Sequence, residues 1–64
     1  MNQKLLRRIR KSGWRLEELA GLSQIPEPIL YRILTAMTIA DEGTRSRIAA
    51  VLDCEVSEIF PSED

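Results

Sequence analysis

The chain has 64 residues, 44% hydrophobic and 30% charged, with a formal net charge of -1; a chain this short buries only roughly 60% of its unfolded surface, so residues 1–64 are expected to form one domain around one core. A single cysteine, Cys54, and the absence of histidine exclude an internal disulfide framework, an ordinary zinc site and a histidine-based triad. Ligand pockets take roughly 300–1,000 Å³, a volume such a core does not enclose, so no enzyme is expected and no cofactor or metal is implied.

Apolar residues recur at helical spacing from end to end and no stretch alternates as a strand does, which predicts an all-α fold. Leu5, Leu6 and Ile9 form the apolar side of a first helix, about Gln3 to Ser12, and Gly13 suits the left-handed residue that closes it. The rest of that helix is basic. Lys4, Arg7, Arg8, Arg10 and Lys11, with Arg15 beyond, place six positive charges in the first fifteen residues with no acid among them. Asp53, Glu55, Glu58, Glu63 and Asp64 make the other end acidic, so a basic face suited to a polyanion is compatible with a net charge near zero.

A second, short helix carries Leu16, Leu19 and Ala20, with Glu17 and Glu18 in a first turn where carboxylates favour the helix dipole; it is expected to end near Gly21 or Leu22. Ile25 then precedes Pro26-Glu27-Pro28. Proline is tolerated before or within the first turn of a helix and not later, so the third helix starts here. Ile29, Leu30, Ile33, Leu34 and Met37 are predicted to form its apolar side, leaving Glu27, Pro28, Tyr31, Arg32 and Thr35 on an outward ridge. Asp41 is a natural N-cap for a fourth helix through Leu52, and a short fifth turn runs from Val56 to Phe60 before Pro61. Trp14, Cys54 and Phe60 fall on core positions, and burial among acids raises the Cys54 thiol pKa rather than activating it.

The run Leu16-Glu17-Glu18-Leu19-Ala20, then Ile25 to Ile33, then Thr44 and Arg47-Ile48-Ala49-Ala50-Val51-Leu52, ending Val56-Ser57-Glu58-Ile59-Phe60, resembles the Cro/cI (Xre) family of lambda-repressor-like domains. The resemblance registers without a gap over about residues 5–60. It implies a compact five-helix bundle in which helices two and three form a helix-turn-helix and helix three enters the DNA major groove. The function it implies is sequence-specific transcriptional regulation by a cytoplasmic protein, prokaryotic or phage-encoded, whose partner is double-stranded DNA. Carried over by position, base reading falls to Glu27, Pro28, Tyr31 and Arg32, and phosphate contacts to Lys4, Arg8, Lys11, Arg15 and Thr35. Arg32 is the strongest of these, because a guanidinium bonding guanine O6 and N7 contributes roughly 1–3 kcal/mol of discrimination.

Several positions depart from the family pattern. Leu16 stands where a phosphate-holding glutamine is common, Gln24 where a turn glycine is usual, and Ala36-Met37 where a Gly-Lys pair often touches backbone. Glu27 brings a negative charge toward phosphates, and Pro28 has no backbone donor. Ile9 and Leu34 occupy the two positions where many members bury an arginine–glutamate pair; changing both together leaves no stranded charge. One 64-residue domain covers one half-site, so a homodimer on a two-fold site is expected, with Met37, Ile39 and Ile59-Phe60 as candidate surfaces. No apolar run approaches the roughly 20 residues of a membrane span, and Met1-Asn2-Gln3-Lys4 lacks the apolar stretch of a signal peptide. The acidic Glu27 and the missing glutamine leave open a second reading: a domain of the same fold that binds protein, a phage or plasmid modulator with weak or no DNA binding.

Overall fold

The computed structural model describes residues 1–61, and Glu63 and Asp64 of the acidic end lie outside the described residues. Five helices follow one another: α1 (Gln3–Ser12), α2 (Leu16–Ser23), α3 (Glu27–Leu34), α4 (Glu42–Val51) and α5 (Val56–Ile59). Among the described residues there is no strand, and no helix is long and apolar enough to cross a membrane. α1 packs on α5, α2 on α3 and on α4, and α4 on α5. Leu5, Leu19, Leu30, Ile48 and Ile59, one from each helix, meet in a fully buried centre with Leu52. Ile9 and Leu34 are buried in the same cluster, so apolar packing stands at both positions of the family's ion pair.

The starts of α1, α2, α4 and α5 are held by local side-chain acceptors, which satisfy amides that no helical carbonyl reaches. At α4 the Asp41 carboxylate accepts the Thr44 N–H at 2.8 Å. That bond holds the Asp41 carboxyl below the usual carboxylate range, so its stabilisation is present at neutral pH and is lost as pH falls through the lowered pKa. Asn2 does more than cap. Its side-chain oxygen accepts the Leu5 N–H at 3.1 Å, its Nδ2 donates to the Ile59 carbonyl at 2.8 Å, and its backbone N–H donates to the Leu34 carbonyl at 2.8 Å. One residue thereby ties the start of α1 to the ends of α3 and α5.

The helix ends share a device that the sequence shows only in part. Gly13 closes α1 at φ 77°, as expected. Gln24, Ala36 and Asp53 take the same left-handed conformation after α2, α3 and α4, at φ 60°, 63° and 53°. In each case the following N–H reaches back five residues: Ile25 to the Ala20 carbonyl at 3.1 Å, Met37 to Arg32 at 2.8 Å, and Cys54 to Ala49 at 3.1 Å. This is the Schellman arrangement, in which the residue after the left-handed one usually packs back on the helix. Ile25 is buried and Cys54 half-buried, but Met37 is 73% exposed. Gln24→Gly is expected to raise the unfolding free energy by about 0.5–1 kcal/mol, the left-handed cost less the freedom glycine adds to the unfolded chain. A urea midpoint at or below that of the parent would contradict it.

Four sequence expectations change. α2 continues to Ser23, whose buried hydroxyl donates to the Leu19 carbonyl at 2.7 Å. α3 ends at Leu34, so the left-handed Ala36 turns Met37 away from the apolar side where helical spacing would have placed it. Ile29 is 39% exposed on that helix. Trp14 is 36% exposed in the loop beyond Gly13, where helical periodicity no longer applies. Phe60 and Cys54 do pack against the core. Burial pushes the Cys54 thiol up, and Glu58, Asp53 and Glu55 add to this while Arg8 opposes it.

Candidate nucleic-acid interface

α2 and α3 are joined by residues 24–26, a turn closed by the left-handed Gln24 and by Ile25 pointing into the core. Pro26 caps α3 and Pro28 sits in its first turn, which limits the backbone to the dihedrals a helix start requires. Leu30, Ile33 and Leu34 anchor the inner side. Glu27, Pro28, Tyr31 and Arg32 are all exposed, and Pro28 and Arg32 lie one turn, about 6 Å, apart on the same side. The four expected base-reading residues therefore share one open ridge. Ile29 borders it, and Leu22 of α2 is 55% exposed. The periodicity of α3 marked Ile29 as core because a short helix buries a narrower stripe than five apolar positions fill.

The expected phosphate set divides. Arg15 is exposed at the start of α2, but its N–H is held by the Glu18 carboxylate at 3.0 Å, which puts a negative group on the amides a phosphate would use. Thr35 closes α3, with its hydroxyl donating to the Tyr31 carbonyl at 2.9 Å. A hydroxyl has one hydrogen, and in this arrangement that of Thr35 is turned to its own helix. Arg8 is likewise committed. Its Nε and Nη2 donate to the Leu52 carbonyl at 3.2 and 3.0 Å, and Nη2 also reaches the Asp53 carbonyl at 2.9 Å. Arg8 thus closes the C-terminal end of α4, where a cation also meets the negative end of the helix dipole.

Lys4 and Lys11 remain exposed, and Arg7 lies with them. With Arg8 these residues border a groove of about 250 Å³ whose acidic lining, among the described residues, is Glu58 of α5. No residue of α2 or α3 lines that groove. Arg7 and Lys11 are therefore gathered beside α5, Lys4 also borders the wider groove with Ile33 of α3, and none of them shares a groove with Glu27, Pro28, Tyr31 or Arg32. Sequence reading counted the charge of Arg7 without giving it a role; its signal was the spacing Lys4, Arg7, Lys11, which aligns three cations along one helix face.

A wider groove of about 500 Å³ is lined by Ile33, Ala36, Ile39, Ala40 and Phe60, with Met1 at its edge. The Arg45 guanidinium lies 5.8 Å from the Phe60 ring centroid and Nε donates to the Ala40 carbonyl at 2.7 Å. Of the surfaces expected to meet a second copy, Ile59 is wholly buried and unavailable, whereas Met37 and Ile39 are 73% and 80% exposed. Comparison with protein-family models, with curated proteins and with solved structures finds no match.

Proposed function

We propose that the domain is a small sequence-specific DNA-binding transcriptional regulator of the Cro/cI type, with α2 and α3 as its helix-turn-helix and the outer ridge of α3 in the major groove. The observation that carries this reading is the ridge itself. Glu27, Pro28, Tyr31 and Arg32 are exposed together on a helix whose other side is held by Leu30, Ile33 and Leu34. Arg32 reads guanine, and Tyr31 and Ile29 offer apolar surface to thymine methyl groups. Arg15 supplies a phosphate contact through its guanidinium at the start of α2, and two copies occupy a two-fold site.

A binding-site selection from random duplexes, followed by fluorescence anisotropy between about 50 and 200 mM salt, tests this reading. The expected result is a symmetric selected sequence bound with a steep salt dependence. Arg32→Ala then loses roughly 1–3 kcal/mol of preference at one guanine per half-site while the other positions keep theirs. Unchanged preference in that variant removes Arg32 from the reading face. One observation favours the protein-binding alternative: Leu22, Ile29 and Tyr31 leave large apolar side chains exposed on α2 and α3. Absence of duplex binding at the lowest salt makes that reading the leading one.

A further inference from the structure

We propose that the outward stripe of α1, formed by Lys4, Arg7 and Lys11, is a second surface for the phosphodiester backbone of duplex DNA, so that one domain holds two duplex segments at once. This rests on α3 being the first DNA surface and adds a second, sequence-independent one.

Three observations carry it. Among the described residues the stripe lies in a groove lined by α1 and Glu58 of α5; Lys4 also reaches the wider groove beside Ile33, but none of the ridge residues Glu27, Pro28, Tyr31 and Arg32 lines either groove. Glu58, which lines the groove, has a carboxylate oxygen engaged by the Glu55 N–H at 2.6 Å, and the fourth cation, Arg8, bonds carbonyls of the fold. Three cations are thus exposed, and among the described residues Glu58 is the carboxylate that lines their groove. Their spacing also matches the ligand. Lys4 to Lys11 covers about 10 Å of helix axis, and each strand of B-DNA presents a phosphate about every 3.4 Å of its axis. Because a strand winds round the duplex as it rises, successive phosphates stand further apart than that rise, so the row of cations faces about two of them in succession, a span that a compact anion does not cover.

The test is a two-duplex capture. A mixed-sequence duplex is tethered to a surface, the protein is added at about 50 mM salt, and a fluorescent second duplex is passed over it. The parent is expected to retain the second duplex. The triple variant Lys4→Gln, Arg7→Gln, Lys11→Gln keeps good helix formers on exposed positions, and is expected to bind the tethered duplex while capturing the second at least tenfold less. Arg7→Gln alone, the least disruptive change, reduces capture severalfold, and the helical circular dichroism of both variants reports their folding. Absence of capture by the parent, undiminished capture by the triple variant, or loss of both binding events by a folded triple variant overturns the proposal. Failure of the α3 reading is recognised separately, by duplex binding without sequence preference that Arg32→Ala leaves unaltered.

Discussion

Leu30→Ala is expected to lower the unfolding free energy by about 3–4 kcal/mol, because a wholly buried leucine loses its transfer energy and leaves a cavity that the neighbouring helices fill only in part. For a domain of this length the total is itself about 3–10 kcal/mol, so the variant loses at least about a third of it. The melting temperature falls by at least about 12 °C, at about 4–8 °C per kcal/mol for a domain this small. Ile29→Ala on the same helix removes a side chain that is 39% exposed and costs less than half as much. Thermal melts followed by circular dichroism decide the point. A Leu30→Ala melt within a few degrees of the parent would show that α3 is not held through its inner side, and the ridge opposite would lose its support.

Arg8→Ala is expected to cost about 2 kcal/mol, since a cation that bonds two carbonyls at the end of α4 is removed and those carbonyls lose their charged donor. Arg8→Lys restores only part of this, because an ammonium lacks the planar fork that spans the Leu52 and Asp53 oxygens. Arg8→Ala also separates the structural role from the role its position first implied. A phosphate contact would reduce the slope of log affinity against log salt by about 0.9. A residue engaged at the α4 terminus leaves that slope unchanged while the urea midpoint drops. Intact stability combined with a shallower slope would return Arg8 to the DNA surface.

The helices were legible wherever a local rule acts. Gly13, Asp41 and the prolines around Glu27 mark termini through conformational and hydrogen-bonding preferences that need no tertiary partner, and the structure places the helix boundaries beside them. Met37 escaped the same logic because Ala36, a residue with no intrinsic preference for a left-handed backbone, takes one at the end of α3. Trp14 escaped it because hydrophobic spacing was carried across a turn. The α3 ridge was legible as a consequence of its inner side: once Leu30, Ile33 and Leu34 are buried, helical periodicity leaves Glu27, Pro28, Tyr31 and Arg32 outward. The cations of α1 were legible as charges and not as a site, since periodicity says which way a side chain points from its own helix and nothing about which helix lies next to it.

From the amino-acid sequence alone follow the all-helical fold, the order and starts of its helices, the residues of the α3 ridge and the concentration of positive charge on α1. These rest on interactions within about one turn of chain, which the identity of nearby residues decides. The tertiary structure decided what those charges touch. The end of α4 comes to lie against Arg8, 44 residues away, and takes its guanidinium into the fold. Packing of α1 on α5 brings Lys4, Arg7 and Lys11 beside Glu58, and Asn2 joins three helix ends. Long side chains such as arginine reach whichever acceptors packing brings near, so their partners are settled only when the helices have met.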